Sequence, residues 1–332
     1  MRAAFYRRTG PAAEVLEVGD RTEPGAGPGE VLVRVRASGI NPADVKRRAG
    51  WRGMAMDHPL VIPHCDGAGE IVAVGDGVDA RRIGERVWLW NAQGGYGTAG
   101  RAFGTAAQLV ALPEAQAVAL PEPLTFAEGA CLGVPAMTAH RSVFADGPVD
   151  GQTILVQGAG GAVAHFAVQF AELGGARVIG TAGSPERAAH AKAAGAEVVI
   201  DRHAEDVAAR VLELTDGAGV DRVVEVDFGA NLATDIAVLK PNGVIASYSS
   251  TSEPTPVLPY YDLAFKGANV RFVQGVNLPP EARREGIAAI AEHAARGRLT
   301  VAVGATRDLD AIAEAHELVE SGNVVGNVVV TL

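Results

Sequence analysis

A glycine-rich loop between an apolar segment and an amphipathic one is the strongest chemical signal in the sequence. The run LVQGAGGAVA covers residues 155–164. Residues this small let a pyrophosphate approach the backbone N–H groups at the start of a helix. The loop therefore predicts a dinucleotide-binding site, and the alternative is a tight turn in a sheet that binds no nucleotide. The predicted cofactor contacts in the loop are Gly158, Ala159, Gly160, Gly161, Ala162 and Val163.

The residues after the next apolar run indicate which dinucleotide binds. NAD enzymes place an Asp or Glu about 20 residues after the glycines to bind the ribose hydroxyls. Here the first acid is Glu186, inside the opening turn of a helix that Ser184 caps. Hydroxyl and guanidinium groups are instead good donors to a 2′-phosphate, so the sequence favours NADPH over a solvated helix end. The cofactor contacts predicted in this region are Thr181, Gly183, Ser184, Arg187 and Arg202.

Alternating strand and helix patterns predict the sheet that positions this loop. We expect strands at 153–157, 177–181, 198–200, 222–226, 244–248 and 269–273, and helices at 162–173, 185–194, 205–214 and 232–239. Short apolar strands separated by helices are typical of a doubly wound parallel sheet. The fold class is therefore α/β, and we assign residues 123–275 to this dinucleotide-binding domain.

The remaining residues predict a second, β-rich domain. Strands are expected at 31–37, 69–75 and 86–90, followed by a long glycine-rich loop at 91–104. Unevenly spaced short strands with such loops indicate an irregular β-barrel. Two helices and a strand at 284–332 are too few to fold alone, so we expect them to pack on the barrel. The predicted barrel domain comprises residues 1–122 and 276–332.

Composition and charge exclude several classes of partner and scaffold. With 29 basic and 39 acidic residues, the net charge is −10, and no basic run offers a surface for nucleic acid or an anionic membrane. The two cysteines exclude a disulfide scaffold and a four-thiolate zinc site, and they favour the cytoplasm. The stretch 151–171 lacks charge, but glycines divide it into a buried strand and helix, so it predicts no membrane span.

Several further runs occur in an order and spacing that are specific to one family. They are GINPADV at 39–45, DGAGEIV at 66–72, GERV at 84–87, GTAAQLV at 104–110, LPE at 120–122, GTAGS at 180–184 and AHE at 315–317. Over essentially its whole length the chain resembles the zeta-crystallin-type quinone reductases among the medium-chain dehydrogenases/reductases. The resemblance implies a Rossmann domain inserted in a GroES-like barrel, NADPH as hydride donor, and a homodimer.

The resemblance also implies the residues that act on the substrate. It places Asn41 and Asp44 near the nicotinamide as catalytic residues, although Asn-Pro-x-Asp is equally a turn and helix-capping sequence. Tyrosines usual after this motif are replaced by Lys46 and Arg52, with Trp51 between them. The substrate-binding residues predicted here are Arg48, Trp51 and Arg52.

Other positions depart from the family pattern. Ala162 and Ala164 stand where the family loop usually has glycine, and His64 also replaces a glycine. Asn327 stands where a basic residue usually follows the last C-terminal glycine, so it is a weakened cofactor contact.

Zinc-dependent alcohol dehydrogenases share this architecture, so a metal must be considered. At their three catalytic ligand positions this chain has Asn41, Cys65 and Val134, which leaves one suitable ligand where three are needed. We therefore expect no metal; the alternative is a makeshift site built from His58, His64, Cys65 and Asp66.

The expected function is NADPH-dependent hydride transfer to a quinone, or to an activated alkene such as a 2-enone, 2-enal or enoyl thioester, without metal. Two alternatives stay open. One is a relative of the zinc alcohol dehydrogenases, and the other is a crystallin-like protein that binds NADPH without catalysis.

Overall fold

The computed structural model describes residues 1–94 and 100–332. Residues 95–99, which belong to the glycine-rich loop predicted at 91–104, lie outside the described residues. The chain divides into two compact units, Met1–Pro135 with Ile287–Leu332 and Ala136–Gly286. We call them the barrel unit and the sheet unit. The boundaries differ from 122/123 and 275/276 because the segment before Pro135 packs on the barrel: a Cβ on Gly39 would lie 2.0 Å from the Ala130 carbonyl oxygen.

The helices and strands follow one another along the chain as three segments. The first contains β1 (Arg2–Phe5), α1 (Ala12–Val15), β2 (Glu17–Asp20), β3 (Glu30–Ile40), α2 (Pro42–Ala49), β4 (Asp66–Val74), β5 (Arg86–Leu89), β6 (Leu109–Pro113), β7 (Ala117–Ala119) and α3 (Phe126–Gly129). The second contains α4 (Met137–Phe144), β8 (Thr153–Val156), α5 (Ala162–Leu173), β9 (Arg177–Ala182), α6 (Pro185–Ala193), β10 (Val198–Asp201), α7 (Val207–Leu214), β11 (Val220–Glu225), α8 (Phe228–Val238), β12 (Leu239–Ser247), α9 (Tyr260–Phe265) and β13 (Asn269–Phe272). The last contains α10 (Pro280–Ala295), β14 (Val303–Asp308), α11 (Ile312–Ser321) and β15 (Asn327–Thr331).

The sheet unit is built on one parallel sheet. Its strands run in the order β10-β9-β8-β11-β12-β13, and every neighbouring pair is parallel. The strands are apolar because both faces of such a sheet are covered by helices. Leu155, Ile179, Val223 and Ile245 have no exposed surface and lie in one cluster with Phe228 of α8. The order in which strands are added reverses beside β8: β9 and β10 extend the sheet on one side of it, and β11 to β13 extend it on the other. Doubly wound folds bind nucleotides at this point. The predicted doubly wound α/β fold is confirmed.

The barrel unit is mainly antiparallel. Its principal sheet has the order β14-β15-β3-β4-β5-β7, and β6 also pairs with β3. The C-terminal strand β15 pairs antiparallel with β3, with Val328 opposite Ile40, so the end of the chain completes the barrel sheet as we expected. The pairing of β3 with β4 sets Gly39 opposite Asp66, which brings together two motifs that are far apart in sequence.

Candidate functional site

The glycine-rich loop joins β8 to α5 and uses some of its own N–H groups. Gly158 has φ +62, a left-handed conformation that glycine adopts without strain. Its N–H donates to Thr181 Oγ1 at 2.9 Å, the Ala159 N–H donates to the Thr181 carbonyl at 2.8 Å, and the Gly161 N–H donates to the Gly158 carbonyl at 2.9 Å. These bonds fix the turn, so the buried hydroxyl of Thr181, a predicted cofactor contact, holds the loop itself.

The remaining N–H groups of the loop form the anion-binding surface. Within residues 1–94 and 100–332, no acceptor is present for the N–H groups of Gly160, Ala162 and Val163. Gly161 precedes α5 in an extended conformation, and no side chain caps this helix of 12 residues. Free amides at the positive end of a helix are suited to a pyrophosphate. Gly160 must be small, because a Cβ there would lie 2.6 Å from the Cβ of Arg187.

Basic side chains surround the end of β9. A Cβ on Gly183 would lie 2.9 Å from Arg202 Nε and 3.0 Å from His203 Nε2. Ser184 caps α6 and accepts a bond from the Arg187 N–H at 3.3 Å, while Arg187 Nη1 approaches the Gly160 carbonyl at 3.4 Å. The residues predicted to hold a 2′-phosphate are thus gathered beside the loop. This donor set fits the phosphates of NADPH.

Asn41 and Asp44 lie at the start of α2 in the barrel unit. The Asn41 N–H donates to Asp44 Oδ2 at 2.8 Å, which is the helix-capping role that the sequence also allowed. Both side chains are buried, and burial raises the pKa of Asp44 to about 6. Asp44 is therefore occupied at the helix end, whereas the Asn41 side chain is directed to a different partner.

That partner is Asp66, at the start of β4. Asp66 Oδ2 accepts from Asn41 Nδ2 at 2.7 Å and from the Val134 N–H at 2.7 Å. The carboxyl is fully buried, and burial raises its pKa to about 8. Gly133 must be a glycine here, because a Cβ would lie 2.1 Å from Asp66 Oδ1. From the sequence, Asp66 is a candidate only for a metal; the unused signal is an acid at the first position of a strand whose one other charged residue is Glu70.

The positions that hold zinc in related dehydrogenases have other tasks here. Asn41 and Val134 both donate to Asp66. Cys65 is a free, buried thiol, and burial raises its pKa well above its usual range. Cys131 is also free and buried, and its thiol donates to the Ala127 carbonyl at 3.2 Å. In the described part of the chain, no three His, Cys, Asp or Glu side chains are grouped as metal ligands.

His64 belongs to a buried network inside the barrel unit. Its ring contacts Ser38 Oγ at 2.7 Å through Nδ1 and His316 Nε2 at 2.9 Å through Nε2. Ser38 continues to the Thr105 hydroxyl at 2.7 Å. His64 has φ +79, the left-handed conformation for which the glycine usual at this position is suited. His58 instead bonds the Gly100 carbonyl, so the makeshift metal cluster is not assembled.

The structure corrects the substrate-binding prediction for Arg48. Its side chain is 1% exposed, pairs with Glu320 of α11 and donates to the Gly10 carbonyl at 2.5 Å. A guanidinium bound in this way cannot reach a substrate, so we no longer include it. Trp51 does stand among cations, with Lys46 Nζ 4.8 Å and the Arg52 guanidinium 5.5 Å from its ring centre.

Asn327 is placed differently from the cofactor contact we predicted. It begins β15, and its side-chain amide donates to the Ala302 carbonyl at 3.0 Å, the same carbonyl that its backbone N–H uses. The side chain is buried and fastens β15 within the barrel unit. It therefore serves the barrel, and the weakened contact that the resemblance implied is not retained.

Comparison with known proteins agrees with this architecture. Residues 27–122 match the family described as alcohol dehydrogenase GroES-like domain, and residues 162–292 match zinc-binding dehydrogenase. The quinone oxidoreductase of Pseudomonas aeruginosa is 34% identical over 80% of this chain and 78% of its own. A polyketide synthase subunit of Mycobacterium tuberculosis, named for phenolphthiocerol and phthiocerol, is 32% identical over 91% of this chain, which spans only 14% of that protein.

Solved structures share the fold over the full length. A structure titled NAD-dependent alcohol dehydrogenase has a TM-score of 0.90 at 31% identity, covering 100% of both chains. A mycobacterial protein complexed with NADPH has a TM-score of 0.84 at 27% identity, also covering 100% of both chains. The fold and the glycine-rich site thus define a medium-chain dehydrogenase/reductase. Within that class, the chain belongs to the quinone oxidoreductase family. No helix among the described residues has the length and apolar character needed to span a membrane.

Proposed function

We propose that this protein transfers a hydride from NADPH to a carbonyl-conjugated acceptor, either a quinone or an activated alkene, without a metal. The observation that carries the proposal is the placement of Arg202 and His203 against Gly183 and of Arg187 against Gly160, beside the open N–H groups of the loop. The mycobacterial neighbour complexed with NADPH and the quinone oxidoreductase relatives support it. The neighbour titled NAD-dependent alcohol dehydrogenase supports the contrary reading, but basic side chains at the end of β9 suit a 2′-phosphate.

The pyrophosphate and the 2′-phosphate of the cofactor each have groups that could hold them. The amides of Gly160, Ala162 and Val163 would bind the pyrophosphate, and Arg187 and Arg202 the 2′-phosphate. When bound, NADPH supplies the hydride. Catalysis then consists mainly of placing donor and acceptor against each other, because water can protonate the reduced product.

Asn41 is the residue we propose to act on the acceptor. Its side-chain amide donates one hydrogen bond to Asp66, which fixes the orientation of the Asn41 side chain. The second amide hydrogen is available to a carbonyl oxygen that gains negative charge as hydride arrives. Trp51 and Arg52 are the proposed substrate-binding residues, with the Arg52 cation contributing to the same charge stabilisation. Alcohol oxidation would need a strong base, or a zinc ion, to help remove the hydroxyl proton. The amide of Asn41 is not a base and cannot take the place of zinc.

The decisive experiment is a screen of NADPH oxidation over quinones, enals, enones and enoyl thioesters, with alcohol oxidation by NAD or NADP as the opposing reaction. We expect conjugated acceptors to be reduced, with activity unchanged after extended chelation. Turnover of a primary alcohol, with no turnover of the conjugated acceptors, would show that the chemistry is that of an alcohol dehydrogenase. Tight NADPH binding with no turnover of any acceptor would favour the non-catalytic alternative.

The variant Asn41→Ala tests the residue assignment. It should lower kcat/KM by about tenfold or more, equivalent to about 1.4 kcal/mol, and leave the Kd for NADPH within about threefold. The matched control is Asn323→Ala, which removes an exposed asparagine side chain of the same unit and should leave kcat/KM unchanged. Unchanged kcat/KM in Asn41→Ala would remove Asn41 from the mechanism.

We also propose that the protein is a homodimer located in the cytoplasm. Strand β13 is at the edge of the parallel sheet, and exposed apolar side chains lie on it and just before it. Exposed edges of this kind pair readily with a second chain. The two free thiols suit a reducing compartment.

A further inference from the structure

Two buried carboxyl groups lie behind the glycine-rich loop in the sheet unit. Glu225 ends β11, the strand beside β8, and Asp235 lies on α8. Both side chains have no exposed surface, and the two carboxyl groups lie close enough for each to shift the pKa of the other. The proposed hydride transfer uses neither residue.

The hydrogen bonds around the pair leave one oxygen of each carboxyl group without a donor. Glu225 Oε1 accepts from the Asp227 N–H and from Asn231 Nδ2, and Asp235 Oδ1 accepts from Gln157 Nε2 at 3.1 Å. The second oxygens, Glu225 Oε2 and Asp235 Oδ2, are buried and have no donor among the described residues. Two ionised carboxylates only accept, so they can bond to each other only when one carries a proton. A single proton therefore gives both remaining oxygens a partner.

A continuous chain of hydrogen bonds connects this pair to the loop. Gln157 donates to Asp235 and accepts from the Thr181 hydroxyl at 2.8 Å. The Thr181 hydroxyl in turn accepts from the Gly158 N–H at 2.9 Å. Every link has one donor and one acceptor, so the orientation of the Gln157 amide is set at one end by Asp235 and at the other by Thr181. The first turn of the loop depends on that orientation.

We propose that Glu225 and Asp235 share one proton and act together as positioning residues for cofactor binding. They hold the Gln157 amide in the orientation that keeps the Gly158 N–H turned inward. The neighbouring amides of Gly160 and Ala162 are thereby left facing the phosphates. The cofactor part of this inference rests on the proposed NADPH site, whereas the shared proton does not.

The surroundings of the pair favour retention of the proton. Burial raises the pKa of both carboxyl groups, that of Asp235 well above its usual range, and the charge of Glu225 raises the pKa of Asp235 further. The titratable groups that face the pair are Asp227, after β11, and Tyr248, after β12; burial also raises the pKa of Tyr248. Gln157, which follows β8, and Thr181 of β9 complete these surroundings through hydrogen bonds, and neither side chain is titratable. Loss of the proton would leave two negative charges together in the interior, which is unfavourable for the folded loop.

The shared proton is tested first without cofactor, from the pH dependence of thermal unfolding. The folded state keeps a proton that unfolded carboxyl groups release above about pH 4, so the pair's contribution to stability is present at low pH and is lost as pH rises. We therefore expect the melting temperature of Asp235→Asn, relative to the wild type, to increase from pH 5 until the folded pair itself releases the proton, and to stay level above that pH. The matched control is Asp262→Asn, which removes an exposed carboxylate from the same unit and should give a curve parallel to the wild type. Parallel curves for Asp235→Asn would overturn the shared proton.

The positioning role is tested by the Kd for NADPH, from cofactor fluorescence, as a ratio of variant to wild type. Titration of the cofactor itself affects the variant and the wild type equally, so it cancels in this ratio. The pH dependence that remains reports the protonation of Glu225 and Asp235. Asp235→Asn should bind like the wild type at pH 6 and about tenfold more tightly than it at pH 9, a factor equivalent to about 1.4 kcal/mol. Gln157→Leu breaks the chain, so its Kd should lose this dependence on pH while its stability retains it. An unaltered pH dependence of Kd in Gln157→Leu would overturn the positioning role, and a wild type that binds no NADPH at any pH would overturn the proposed function instead.

Discussion

In the proposed function, side chains at the end of β9 would decide the discrimination between NADPH and NADH. Arg187 lies against the loop through Gly160, and Arg202 faces Gly183. We expect Arg187→Ala and Arg202→Ala each to reduce the preference for NADPH over NADH by about 1–3 kcal/mol, the size of a charge-assisted hydrogen bond. The measurement is the Kd of each cofactor for each variant. The control is Arg210→Ala, an arginine of the same unit that pairs with Glu213 on α7; equal affinities of the wild type for the two cofactors would refute the assignment.

Single residues could be predicted from the sequence where local spacing determines their place. The loop amides and Ser184 follow from a strand, a glycine run and a helix that are adjacent in the chain. Arg48 could not be placed in this way, because its partner Glu320 comes from the far end of the sequence. Asp235 did leave a local signal: it follows Phe228 and Leu232 at helical spacing, so an acid stands on the buried face of α8.

Among the helices and strands, α5 has the bounds predicted at 162–173, because a glycine lies at each end of it, Gly161 before and Gly174 after. The contact of Asn41 with Asp66 was not predictable, because it depends on the register of β3 against β4. Strand β14, exposed and without an apolar run, also gave no signal and is held by its pairing with β15. Tertiary packing decides which distant segments pair. The intrinsic strand propensities of the residues carry no information about that packing.

The contact between α11 and the segment before β4 makes a prediction about acid stability. Burial lowers the pKa of His64 to about 3 and that of His316 well below its usual range. An unfolded histidine has a pKa near 6.5, so the unfolded chain takes up protons below that pH and the folded barrel does not. The stability is fully present above about pH 6.5 and falls as pH decreases, by up to about 1.4 kcal/mol per pH unit for each histidine.

Urea unfolding of His316→Gln between pH 7 and pH 4.5 measures this effect. The free energy of unfolding of the variant should fall less steeply with acid than that of the wild type. His203→Gln, which removes an exposed histidine of the other unit, should leave the slope of the wild type unchanged. Identical slopes for His316→Gln and the wild type would contradict the prediction.

For the whole molecule, the exposed apolar surface of the sheet unit makes a prediction about assembly. Phe265 is 85% exposed and stacks on Tyr261, close to the edge strand β13. Phe265→Glu should shift the protein from a dimer towards the 34.1 kDa monomer, because a charge would be buried in the contact. Light scattering after size exclusion gives the mass. Ile83→Glu is the control, since Ile83 is 53% exposed on the barrel unit; a wild type that is monomeric at all concentrations would remove the proposed dimer.

The buried state of the two thiols has a consequence for the proposed chemistry. Quinones and conjugated enones are electrophiles, and a protein thiolate attacks them to form a covalent adduct. The nucleophile is the thiolate, whose fraction falls as the thiol pKa rises. Cys65 and Cys131 are the two cysteines of the chain, and burial both shields them and raises their pKa. An enzyme built in this way is protected against alkylation by the molecules that it reduces.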